Sequence, residues 1–142
     1  MEKSVIMLSA MDEVINMIST PVKAAGWYGP TQALHTIVIR TLNFRGRVFI
    51  EGTLVVAPAE TDWFPILLDG ADHLIFPRPL FLLATGPVDP GWLGESVTLG
   101  YSFICNCLWL RARIVRSYII PPYSTPDQIS VYGAIDSILL NF

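Results

Sequence analysis

The stretch Thr36–Val55, TIVIRTLNFRGRVFIEGTLV, carries the plainest structural signal in the chain. Ile37 and Ile39 alternate with Thr36, Val38 and Arg40. Val48, Ile50, Gly52 and Leu54 alternate with Arg47, Phe49, Glu51 and Thr53. A period of two puts successive side chains on opposite faces, the mark of a half-buried β-strand. Asn43-Phe44-Arg45-Gly46 between the runs reads as a turn, with glycine where an unusual φ is needed. The two runs therefore predict an antiparallel hairpin. Gly52, inside the second run, predicts a bulge or a closely approaching neighbour.

The same reading extends outward. Val97, Leu99, Tyr101, Phe103 and Cys105 share one parity, and Leu108, Leu110, Ala112 and Ile114 share the other. The switch marks a bulge, bend or tight turn near Asn106. Arg111 and Arg113 then share the face opposite Leu110 and Ala112, where they are expected to keep that face wet or to pair with a neighbour's carboxylates. Ile135–Leu140 is apolar on both parities, as in a strand covered on both sides, with Phe142 packed. Leu80–Thr85 predicts a short strand, and Val88–Gly94 a loop. Ser4–Thr20 allows a helix, from Met7, Met11, Val14, Ile15 and Ile18, but its β-branched pairs favour strand, turn at Asp12-Glu13, strand. Prolines and glycines punctuate the whole chain, and no repeat or linker divides it. These readings predict one all-β domain over residues 1–142, an antiparallel, jelly-roll-like β-sandwich of about eight strands with little helix.

Composition limits what such a domain does. Of 142 residues, 52% are hydrophobic and 15% charged, and the net charge is −3. Charged residues usually make up about 25% of a soluble domain, so apolar surface is expected to be hidden against neighbours. No run reaches the roughly 20 apolar residues of a membrane-spanning helix, because Pro77, Arg78, Pro79 and Arg111 interrupt the candidates. The arginines form no basic cluster of the kind nucleic acid requires, so neither a nucleic-acid partner nor a membrane span is expected.

The chemistry-bearing residues are sparse. Cys105 and Cys107 lie two apart in an apparent strand, with Cα atoms about 6.6 Å apart at about 3.3 Å per residue, which is poor disulfide geometry. They are expected as reduced thiols near the core, consistent with assembly in a reducing cytoplasm. His35 and His73 have no metal-ligand spacing, so no metal or cofactor is expected. Glu51 is expected as a solvated carboxylate, and Glu60 and Asp62 as turn residues. A small hydrolase would need two of Glu51, Glu60, Asp62, His35, His73 and Asp127 in one cleft. Trp27, Tyr28, Trp92 and Tyr123 lie near turns and are the candidates for an interface or a glycan platform. Trp63, beside Phe64 and Ile66, is expected in the core.

Three stretches carry a resemblance: Leu42–Ile66 (LNFRGRVFIEGTLVVAPAETDWFPI), Leu108–Tyr118 (LWLRARIVRSY) and Tyr132–Phe142 (YGAIDSILLNF). They resemble small virion structural proteins of tailed bacteriophages, notably contractile-tailed phages of cyanobacteria. The resemblance spans roughly the last 100 residues, and the first forty match loosely. It implies a non-enzymatic β-sandwich subunit in the virion, assembled in the host cytoplasm as a head decoration, neck, tail, baseplate or fibre component. The partners implied are other virion proteins and copies of the chain itself. A carbohydrate-binding adhesin that contacts a host surface glycan is the alternative, and a small hydrolase stands behind both.

Overall fold

The computed structural model describes residues 4–9, 16–30, 32–78, 94–117 and 133–142. Its strands are β1 (Ser4–Ser9), β2 (Asn16–Ile18), β3 (Val22–Lys23), β4 (Ala33–Leu42), β5 (Gly46–Thr53), β6 (Phe64–Pro65), β7 (Leu74–Phe76), β8 (Thr98–Cys105), β9 (Trp109–Val115) and β10 (Ala134–Asn141). Two short 3-10 turns, Ala25–Tyr28 and Glu60–Asp62, are the helical elements among the described residues. The first sheet runs β1-β10-β4-β8, and the second runs β2-β9-β5-β6. β3 follows β2 along the edge of β9, and β7 joins β6 along the edge of β5. Among the described residues each sheet thus has four strand positions, the arrangement of an eight-position jelly roll. All pairings are antiparallel.

The expected hairpin is corrected. β4 pairs with β10 and β8, whereas β5 pairs with β9, β6 and β7. The chain leaves the first sheet at Leu42 and enters the second at Gly46. Phe44, fully buried, is the reason. A tight surface turn would expose that ring, whereas a crossing between sheets carries it through the core, where it packs edge-on against Phe76 at 5.6 Å. Its backbone exchanges hydrogen bonds with Glu95 at 3.0 Å each way. The parity switch near Asn106 has the same origin: β8 lies in the first sheet and β9 in the second. Both sets of apolar side chains point at one interior, so the inward parity inverts where the chain crosses.

That interior is built from Ile37 and Ile39, Val48 and Ile50, Leu110, Ala112 and Ile114, and Ile135, Ile138 and Leu140. A Cβ on Gly52 would meet Cys107 Sγ at 2.6 Å, so glycine here serves a close neighbour.

The N-terminal segment supplies strands at Ser4–Ser9 and Asn16–Ile18, in different sheets; its turn lies outside the described residues, as do Leu80–Thr85 and most of Val88–Gly94. The C-terminal segment is paired on both edges, as expected. Its two-sided apolarity is corrected: the register of β10 shifts between Ile135 and Ser137. This bulge brings odd-numbered Ile135 into phase with Ile138 and Leu140, all three fully buried, while Leu139 is 44% exposed. One face is covered, and the other is open.

Because β10 sits between β1 and β4, deleting Ile135–Phe142 is expected to leave insoluble or unfolded protein. The buried isoleucines and leucine contribute about 1.5 to 3 kcal/mol each, against a typical net stability of about 5 to 15 kcal/mol. Solubility and circular-dichroism melting check this; a soluble truncation with an unchanged melting curve contradicts it.

Candidate functional site

The open face of the first sheet is set by register. Ile6 stands opposite Leu139, Leu139 opposite Val38, and Leu34 opposite Ile104. Ile6 is 61%, Leu34 59% and Ile104 65% exposed. Between these rows lie Ser4, Asn141, Thr36 and Ser102. Asn141 donates to Ser4 Oγ at 3.0 Å, and the Thr36 and Ser102 hydroxyls are 2.9 Å apart. A shallow groove of about 220 Å3 runs over β1, β10 and β4. Among the described residues of these strands, the outward charges are Arg40 and Asp136, 4.0 Å apart near one end. A sheet face washed by solvent ordinarily alternates with charge; this one offers aliphatics, hydroxyls and one amide.

The outer face of the second sheet is built differently. Glu51 stands opposite Arg111, and Phe49 opposite Arg113. Arg111 Nε donates to Glu51 Oε1 at 2.9 Å, and Arg113 Nε to Glu51 Oε2 at 3.2 Å. The remaining Arg111 nitrogens donate to both oxygens of Glu60, at 3.1 and 3.0 Å. Trp63 lies 4.2 Å from the Arg111 guanidinium, and Phe49 lies 4.1 Å from that of Arg113. This corrects two expectations. Glu51 is buried instead of solvated, and Arg111 is buried instead of keeping the face wet. Arg111 does sit opposite Leu110 in parity, but its carboxylate partners belong to its own chain. Trp63 is half-buried as a lid on that arginine, not part of the central core.

Glu51 and Glu60 are therefore brought together, as a hydrolase would need, but with a guanidinium between them. The Arg111 hydrogen bonds, then its charge, hold the Glu60 carboxyl below its ordinary value near 4.5. A carboxylate so held is a weaker base than a free one. Asp62 caps its own turn, its Oδ2 accepting from the Ala59 N–H at 2.7 Å, as expected of a turn aspartate. His73 pairs with Asp72 at 2.7 Å. Asp127 lies outside the described residues.

Trp27 and Tyr28 sit on the first 3-10 turn and are 37% and 48% exposed. Trp27 leans on Trp109 at 4.9 Å, with Lys23 Nζ 4.7 Å above its ring, and Tyr28 stacks on Phe142 at 5.9 Å. Each ring is thus engaged within the chain. Trp92 and Tyr123 lie outside the described residues. His35 is fully buried and structural: its Nε2 accepts from the Ala25 N–H at 3.1 Å, its Nδ1–H donates to Ala33 O at 3.0 Å, and its ring stacks on Phe103 at 5.3 Å.

Both cysteines are free. Cys105 ends β8, and Cys107 lies in the crossing to β9, so the extended-strand spacing does not span the pair. Cys107 is fully buried and Cys105 half-buried, with His35 Nδ1 3.8 Å from the Cys105 sulfur.

Among the described residues, no group of three or more histidine, cysteine or acidic side chains is arranged to hold a metal ion. No described helix is long and apolar enough to cross a membrane. Comparisons with protein-family models, curated proteins and solved structures return no match.

Arg111→Ala is expected to lower stability by up to about 3 kcal/mol, because it leaves the buried Glu51 with Arg113 as its one remaining arginine. Glu60→Gln acts through pH. A lowered carboxyl stabilises the fold in full above its unfolded value and stops doing so as pH falls through the folded value. Wild type should therefore lose Tm more steeply than Glu60→Gln between about pH 5 and pH 3. Urea midpoints and Tm–pH profiles check both; parallel profiles count against the pair's role.

Proposed function

We propose that this chain is a non-enzymatic structural subunit that assembles through the open face of its first sheet, and that its particle is the virion of a tailed phage. The observation that carries the reading is that face, with exposed Ile6, Leu34, Ile104 and Leu139 and, among the described residues of its strands, outward charge at Arg40 and Asp136 alone. The partner argued for is a second copy, because an uncharged patch meets itself without like-charge repulsion. Sheets pack face to face about 10 Å apart. A four-stranded face of eight-residue strands presents roughly 500 Å2 per copy at ~4.8 Å between strands and ~3.3 Å per residue. Two copies would then bury roughly 1,000 Å2, the threshold of a specific interface. One such contact is weak, and repetition around a closed assembly multiplies it.

The virion assignment rests on the resemblance carried by Leu42–Ile66, Leu108–Tyr118 and Tyr132–Phe142. The jelly roll is in keeping with it, since the architecture recurs in viral capsid subunits. It recurs in lectin domains too, and a fold alone does not choose between them. The adhesin reading keeps one observation: Trp27 and Tyr28 are adjacent and part-exposed. Their engagement with Trp109 and Phe142 makes them better anchors than an open sugar platform.

Mass photometry is expected to find oligomers of the wild-type protein at micromolar concentration. Leu139→Lys and Ile104→Lys should shift them to monomer at unchanged Tm. Mass spectrometry of purified particles should find the chain in stoichiometric amount. Monodisperse monomer that is absent from particles overturns the proposal. Binding on a glycan array that is lost in Trp27→Ala would favour the adhesin.

A further inference from the structure

A two-fold contact through the open face closes on two copies, and any larger assembly needs a second, different contact. We infer that the outer edge of β8 pairs antiparallel with β8 of a second copy, joining two first sheets into one. The inference rests on the assembly reading for the identity of the partner, and on the sheet edges for the place of the contact.

The edge of a β-sheet presents unpaired N–H and C=O groups. Proteins that do not pair through it blunt it with short strands, lysine, proline or bulges. Among the described residues the two sheets have four such edges, and three are blunted. On the first sheet, β1 carries a register shift between Ile6 and Leu8. On the second, one edge is split into β2 of three residues and β3 of two, with Pro21 between them and Lys23 in β3. The other is split into β6 of two residues and β7 of three, and β6 ends at Pro65. β8 has none of these devices. It runs eight residues, TLGYSFIC, without a charge or a proline. Its register against β4 is unbroken, from Ala33 opposite Cys105 to Arg40 opposite Thr98. Among the described residues β4 is its one partner strand.

The side chains of β8 also show an open edge. Leu99 and Tyr101 stand opposite Ile39 and Ile37 and point inward with them. Both isoleucines are fully buried, whereas Leu99 and Tyr101 are half-buried. The core is therefore incompletely covered along this side, and an added strand would extend the cover. Thr98, Gly100, Ser102 and Ile104, on the other parity, are exposed on the open face.

A second copy fits this edge. A two-fold axis perpendicular to the sheet sets β8 against itself, even residues opposite even ones, because both copies keep their open faces on one side. Neither strand carries a charge, so no like charges meet across the pair. The two open faces become one continuous face, in line with the face contact already proposed. Strand addition supplies main-chain hydrogen bonds but little buried area, so the edge contact acts in support of the face contact. Where the two axes intersect at right angles, the assembly closes at four copies.

The test uses the full chain. In an antiparallel ladder every second residue of β8 turns its N–H away from β4. Residue-resolved hydrogen exchange should find those amides fast in dilute, monomeric protein and slower by at least about tenfold in the wild-type oligomer. Mass photometry should find species larger than dimers. Tyr101→Lys sends an amine out of the core past this edge and leaves the open face uncharged. It should stop assembly at the dimer, with the same amides fast again. If Tyr101→Lys fails to fold, the wild-type exchange pattern decides. Oligomers whose outward β8 amides exchange as fast as in the monomer overturn the inference and leave the face contact standing. Leu139→Lys protein that still dimerises with those amides slowed supports the inference and overturns the face contact instead.

Discussion

Strand β10 hydrogen-bonds to β1 on one edge and to β4 on the other, and the rest of the sandwich depends on that placement. A β-sheet must pair its backbone groups sideways and bury one face against a second sheet. With the last strand in the middle of the first sheet, β4 is held next to β8, and the strands that follow β4 and β8 must go to the other layer. The two crossings, at Phe44 and at Asn106–Leu108, are consequences of this. At each crossing a buried group marks the passage: the Phe44 ring in one, the Cys107 thiol in the other.

The two outer faces answer the same problem in opposite ways. On the second sheet, Glu51 between Arg111 and Arg113 neutralises buried charge in place, and Trp63 and Phe49 cover the guanidinium planes. Such a lattice gives a rigid, self-satisfied surface with little left to offer a ligand. The first sheet leaves aliphatic side chains open beside hydroxyls. Exposed aliphatic side chains also lie off this face, Leu54, Val56 and Leu67 among them, so what sets the first sheet apart is the pairing of open aliphatics with hydroxyls in place of an ion-pair lattice. Another ion pair braces the Phe44 crossing: Arg78 grips Glu95 with its backbone N–H and guanidinium, at 2.7 Å at the closest.

Strand identity and facing were legible from period-two alternation. Ile37, Ile39, Val48, Ile50, Leu110 and Ala112 all point inward as their parity requires, and β10 is a paired strand to its end, because a residue's side of a sheet depends only on its own position in the strand. Partners were not legible. Alternation at β4 and β5 is the same whether the two pair or face each other across a core, and only the burial of Phe44 separates the cases. Glu51, Arg111 and Arg113 stood on polar parities in the sequence. Their meeting required register between β5 and β9, which is set by packing some sixty residues apart in the chain. The Ile135–Leu140 segment misled for a similar reason, since a bulge changes phase without changing composition. Likewise, the sequence determined that Cys105 and Cys107 lie close. Tertiary structure decided that a strand ends between them and that His35, seventy residues away, turns its Nδ1 toward one and not the other, because only folding brings non-local donors to a sulfur.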